Sequence, residues 1–303
     1  MATAIMKMEN RGLAFAFMLA LLSSTHTGEA QTSSHGNSLP LAGAPDCAVQ
    51  PQRRLRIDAR TAAKVGRQVW LNETGGKREM ITAWNASEDF ASLGIGHFIW
   101  FSEGLDSRFV ESFPTMMAFL RSQGAVLPNW LDKDEIPPSP WRTKAEFQRE
   151  FYGPRLTELR RFLFETKDLQ AQFLVRRLEK ALPKLLAALP SQNQRIHVRC
   201  QFYNVVRSSP DLYPLIDYVN FKGEGVNNRE TFPNKQTGKP EGWGLKHVLL
   251  AMRSSSDVPS QILRAYSDAA RRVLLRRIAN NPRDKRWQKG WIKRVETYRN
   301  PLP

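Results

Sequence analysis

Cysteine and histidine are scarce in this chain, which has two cysteines and five histidines in 303 residues. His97, His197 and His247 stand apart from one another and from Cys47 and Cys200, so no metal-ligating cluster can be drawn and no cofactor is expected. Acidic residues are also short, 29 against 45 basic ones, for a formal net charge of +16. That imbalance draws a protein to polyanions, whether nucleic acid, anionic membrane or acidic wall polymer. Beyond the first thirty or so residues no apolar run is long enough to span a bilayer. No internal repeat is present, and no nucleic-acid recognition motif supports the most obvious polyanion.

The N-terminal residues carry an address. Lys7 and Arg11 lead into the apolar run from Gly12 to Leu22, and small residues at Gly28 and Ala30 flank Glu29. This pattern predicts a signal peptide over residues 1–30, cut before Gln31, with an uncleaved anchor as the alternative. The protein is then expected to be exported, periplasmic or secreted, monomeric, and without stable membrane insertion after cleavage. Residues 31–52, rich in Ser, Gly, Pro and Gln, predict a flexible arm. Residues 53–303 are expected to form a single domain with basic C-terminal helices, its core supplied by the 41% hydrophobic and 10% aromatic content. Export admits a disulfide between Cys47 and Cys200, against the alternative of two free thiols.

Periodicity predicts a mainly α (α+β) fold. A helix begins near Asp58 or Thr61, places Ala62, Val65, Val69 and Trp70 on one face, and stops at Gly75 and Gly76. Glu73 then lies on its last turn. Residues 90–101 predict a glycine-punctuated strand or hairpin entering the core. Helices follow from Pro114 to Gly124, along 143–151 and along 155–189 with a break at Pro183, and again around Cys200. Asp217 to Gly244 is expected to be a long loop, and the tail from Pro259 a set of basic helices.

The chemistry converges on Glu73. A carboxyl on a helix's last turn, beside apolar and aromatic neighbours and a glycine-rich hairpin, suits general acid catalysis, because burial favours its protonated form. Glycosidic bond cleavage needs such an acid to protonate the leaving oxygen. The alternative is an ordinary helix-end carboxylate, in a place the helix dipole disfavours.

Glu73 before Gly75-Gly76, followed by Ser92-Leu93-Gly94-Ile95-Gly96-His97, resembles the catalytic glutamate and following turn of phage-type lysozymes. The wider lysozyme-like superfamily includes goose-type lysozymes, lytic transglycosylases and chitosanases. The resemblance implies a lysozyme-like helical domain with a small β-hairpin or sheet beside the catalytic glutamate. It implies Glu73 as general acid, with Ser92 at the position of the family threonine. Phage-type enzymes carry a catalytic aspartate where this chain has Ala86, so a second carboxylate must come from elsewhere. Asp89 is the first candidate, with Glu88, Asn85 and Glu224 in reserve. Candidate substrate-binding residues are Asn85, His97, Tyr218, Asn220 and Trp243. The segment from Asp217 to Gly225 is similar to a cleft loop of lytic transglycosylases, and Trp243, between two glycines, is positioned to stack on a sugar. For Tyr218 and Trp243 the alternative is a place in the core.

The expected activity is cleavage of peptidoglycan or a related amino-sugar polymer, as a muramidase or lytic transglycosylase, with no nucleic-acid partner. A chitosanase-like hydrolase of deacetylated glycan is the alternative enzyme, favoured by the acidic residues between Glu88 and Glu111. A non-catalytic basic cell-wall-binding protein is the alternative outside enzymology.

Overall fold

A computed structural model describes residues 55–86, 88–254 and 256–303, all within one compact unit. The expected signal peptide, the arm and Cys47 lie outside the described residues. Cys200 is disulfide-bonded.

The fold is mainly helical with a small antiparallel sheet, an α-rich α+β arrangement. Helix α1, Ala59–Thr74, begins where the Asp58 carboxylate accepts the Thr61 backbone N–H at 2.8 Å. Such a cap satisfies one of the donors that every helix start leaves free. It ends at Gly75, which adopts φ 63° and returns its N–H to the Leu71 carbonyl at 3.0 Å. Glycine takes this left-handed turn at little cost. The buried stripe of α1, including Ala62, Val65, Gly66 and Val69, packs on α5, Lys167–Ala187. The two backbones approach so closely that a Cβ on Gly66 would lie 2.5 Å from that of Ala171.

After α1, a short 3-10 turn (Arg78–Ile81) feeds β1, Thr82–Ala83, which pairs with β2, Ala91–Leu93, and this in turn with β3, Phe98–Trp100. Both ladders are antiparallel, with Leu93 opposite Phe98 across the turn Gly94–His97. The sheet is anchored by rings: Trp100 is fully buried, 4.5 Å from Phe113 and 6.1 Å from Trp141 between centroids. Aromatic pairs of this kind add about 1 kcal/mol beyond the area they bury.

Helices α2 (Phe113–Ser122), α3 (Lys144–Arg149) and α4 (Pro154–Glu165) lead to α5, which touches α1, α2, α4, α6 and α7 and is the axis of the domain. Pro183 does not break α5: the helix runs on to Ala187, with the proline on its exposed side in the last turns. Only one backbone donor is lost there, and the buried Leu182 and Leu185 hold the turn in place.

The expected loop from Asp217 to Gly244 is also corrected. Its first six residues complete α7, Tyr213–Lys222, and its second half forms the hairpin β4 (Thr231–Pro233) and β5 (Pro240–Gly242). Helices α6 (Gln192–Ser208), α8 (Leu245–Ala251) and α10 (Gln288–Glu296) surround α9, Pro259–Asn280. The final 3-10 turn, Thr297–Arg299, packs back on α7 and α9. Among the described residues no helix is long and apolar enough to cross a membrane.

Candidate functional site

Four chain segments meet at Glu73: the end of α1, the β2–β3 turn, the end of α7, and α10. The Glu73 side chain is 15% exposed. Its Oε1 accepts two hydrogen bonds, from Arg294 Nη2 at 2.7 Å and from Asn220 Nδ2 at 3.1 Å. Its Oε2 makes no hydrogen bond among the described residues, and faces His97 Nδ1 at 3.7 Å. His97 Nε2 lies 3.1 Å from the Met80 carbonyl. A carbonyl only accepts, so that nitrogen is assigned the hydrogen.

The turn owes its shape to two features. His97 closes it in a left-handed conformation at φ 49°, its N–H donated to the Gly94 carbonyl at 3.2 Å. Beneath it, the fully buried Gln170 of α5 accepts the Ile95 N–H at 2.9 Å and donates to the Leu163 carbonyl. Gly96 matters for a different reason. A Cβ there would lie 2.7 Å from Asn220 Oδ1 and 2.9 Å from the Phe98 ring, so only glycine lets Asn220 reach past the hairpin to Glu73.

The second carboxylate in this site is Glu88. Its Oε2 accepts from Asn85 Nδ2 at 2.9 Å and from Ser92 Oγ at 3.3 Å. Burial pushes its carboxyl upward from the ordinary glutamate value, against those two hydrogen bonds and the attraction of His97; the Glu73 charge adds to the rise. Asp89, the first candidate, is exposed and makes no hydrogen bond among the described residues. Phe90 decides the matter. Its ring is buried against Phe101 and Phe109, both 5.6 Å away, while Asp89 beside it in the bend before β2 is left exposed. Ser92 sits on β2, buried, with its hydroxyl on Glu88 rather than on Glu73.

Beneath Glu73 lies a buried ionic layer that sequence reasoning missed. Asp217 is fully buried, and its two oxygens take Arg294 Nε at 2.8 Å and Nη2 at 2.7 Å, the Tyr298 hydroxyl at 2.5 Å and Asn72 Nδ2 at 3.1 Å. Asn72 also donates to the Tyr213 hydroxyl at 2.9 Å. Arg294 therefore bridges two carboxylates with one guanidinium, a task that suits its planar fork. The one sequence signal was the pair Asp217 and Asn220, a helical step apart.

Three further candidates lie elsewhere. Tyr218 is fully buried and gives its hydroxyl to the Trp243 carbonyl at 2.8 Å. Trp243 is buried between the Phe232 ring at 5.0 Å and the Arg277 guanidinium at 3.9 Å, so its face is unavailable to a sugar. The Glu224 carboxylate is taken by Lys184 at 3.0 Å. In the basic tail, Trp291 is buried and Trp287 half exposed.

Among the described residues no group of three His, Cys, Asp or Glu side chains is placed to hold a metal ion. A cavity of about 480 Å³ lined by Arg121, Asp132, Lys133 and Asp134 involves none of the residues around Glu73. No protein-family model, curated protein or solved structure matches this chain.

Proposed function

We propose that the protein is an exported glycosidase that cleaves peptidoglycan or a closely related amino-sugar polymer, with Glu73 as general acid and Glu88 as the second carboxylate. The observation that carries this reading is the unequal treatment of the two Glu73 oxygens. Oε1 is held by Arg294 and Asn220, while Oε2 makes no hydrogen bond among the described residues. A proton on Oε2 leaves both bonds to Oε1 intact and can pass to the oxygen of a scissile glycosidic bond.

Glu88 supplies the complementary half. Two donors fix Oε2, so Oε1 is available to a water or to the positive charge that develops on the sugar. Asn220 and Asn85 act as positioning residues, one for each carboxylate. Binding to an anionic wall accords with the +16 net charge.

The experiment is digestion of purified peptidoglycan, N-acetylated and deacetylated, by wild type and Glu73→Gln, with products read by mass spectrometry. Cleavage by wild type and its loss in Glu73→Gln are expected. A water-added product identifies a hydrolase, and a product lacking that water a transglycosylase. Equal cleavage by Glu73→Gln would remove Glu73 from the acid's role. No cleavage of either substrate by wild type would leave a wall-binding protein.

A further inference from the structure

His97 occupies a strained position in the turn beside Glu73. Its φ of 49° is left-handed, and among the described residues only Leu212 shares that trait without being glycine. A side chain there costs about 1 kcal/mol that glycine would not. The turn gives up that stability to hold an imidazole. A strained residue facing a carboxylate points to a task for its ring.

Two contacts orient the ring. Nε2 lies 3.1 Å from the Met80 carbonyl, which only accepts, so Nε2 keeps its hydrogen whether the ring is neutral or charged. The proton that comes and goes is therefore the one on Nδ1. That nitrogen faces Glu73 Oε2 at 3.7 Å, the oxygen that neither Arg294 nor Asn220 holds. The separation is longer than a hydrogen bond, as contacts at a reacting group often are before substrate tightens them. Little water competes for the pair, whose side chains are 14% and 15% exposed. The charges around it are Glu88 from the segment before β2, Arg294 of α10 on the other Glu73 oxygen, and Lys222 of α7 within electrostatic reach of Glu73.

We propose that His97 reloads the acid, as the positioning residue that returns a proton to Glu73 Oε2 after each cleavage. This inference rests on the glycosidase reading above and adds to it the source of the proton. Once Glu73 has protonated the leaving oxygen, it is a carboxylate facing the imidazolium. The Nδ1–H bond breaks, an O–H bond forms on Oε2, and the two opposite charges disappear together. Neutral His97 then takes a proton from hydronium in the solvent, which its exposed edge reaches. The ring acts through Glu73 and not on the sugar. Histidine suits the task because its charge changes in the neutral range, where a carboxyl in water is already ionised.

The test has two readings. With the histidines isotopically labelled, NMR follows both ring nitrogens of His97 through a pH series in wild type and in Glu73→Gln. Neutral His97 should carry its hydrogen on Nε2, and Nδ1 should take up its proton at a lower pH in Glu73→Gln, which lacks the facing charge. Kinetics on peptidoglycan use His97→Gly and His97→Asn, two residues suited to the left-handed backbone, with circular dichroism to confirm the fold. In each, kcat should fall about 10²-fold with KM little changed. Added imidazole should restore His97→Gly, which leaves room for it, and not His97→Asn. The inference is overturned if neutral His97 carries its hydrogen on Nδ1, or if His97→Gly is as fast as wild type or is not rescued. A wild type that leaves peptidoglycan uncut, while His97 shifts with Glu73→Gln, would sink the cleavage reading and leave the proton pair standing. One that cuts peptidoglycan, while His97 titrates alike in both proteins, would do the reverse.

Discussion

Arg294 and Glu73 are separated by 221 residues along the chain and by 2.7 Å in the fold. The same guanidinium nitrogen is 2.7 Å from Asp217, so one cation serves a fully buried carboxylate and the exposed edge of the site together.

Replacing Arg294 by Met should therefore be severe. The methionine carries no charge, and Asp217 is left buried with an unmatched one. Removing one partner of a buried pair costs about 3–5 kcal/mol. Thermal unfolding of Arg294→Met should show a loss of that order. An unchanged melting temperature would mean that the Tyr298 and Asn72 hydrogen bonds are enough for Asp217.

Gly96→Ala should damage turnover more than stability. The added methyl meets Asn220 Oδ1 at 2.7 Å and pushes the amide away from Glu73. Misplacing a catalytic group by about an ångström can cost about 10²-fold in rate, while overpacking costs about 1–3 kcal/mol. The check is kcat on peptidoglycan beside a melting curve. Full activity would mean that Asn220 is dispensable for holding Glu73.

The acid side of the pH–activity profile should report Glu88. Its carboxyl is raised chiefly by burial, so ionised Glu88 is lost at a pH above the usual carboxylate range. Asn85 and Ser92 donate to the charged form and oppose the rise. Asn85→Ala should therefore move the acid limb to still higher pH, and a shift the other way would contradict this role for Glu88. His97 and Glu73 also face this carboxyl, so the limb belongs to the group of them and not to one residue in isolation.

His247 should make the fold acid-sensitive. On α8 its ring packs against Gly225 and Gly242, its Nδ1 is buried without a partner among the described residues, and burial pushes it down from 6.5 to about 4. The folded state then binds fewer protons than the unfolded chain between those two values. Stability is intact above about pH 6.5 and falls, by up to about 3 kcal/mol, as pH drops toward 4. His247→Gln should flatten that part of the stability curve. Parallel curves for the two proteins would show that His247 does not titrate on unfolding.

How much of this was written legibly in the chain varies with the range of the interaction. Helix α1 was readable at both ends, because Asp58 and Gly75 act on their own neighbours. The hairpin at Gly94–His97 was readable for the same reason. Pro183 misled, since local geometry forbids it in mid-helix while tertiary packing of Leu182 and Leu185 carries α5 through. Trp243 looked open between its glycines, yet Phe232 and Arg277 cover it from afar. The choice of Glu88 over Asp89 turned on which way Phe90 faces, and an irregular loop has no period from which to read that. Arg294 was one arginine among many, and only the folded chain distinguishes it.

Arg294 and Tyr298 supply the charge and hydroxyl that Asp217 takes, and Arg294 one of the two bonds to Glu73. The ends of the Arg294–Glu73 contact are 221 residues apart, so no local segment can form it. Loosening of α10 alone would free Glu73 Oε1 from its guanidinium while Asn220 still held it. The proposed acid is thus wired to a distant helix, and its setting registers whether that helix is docked.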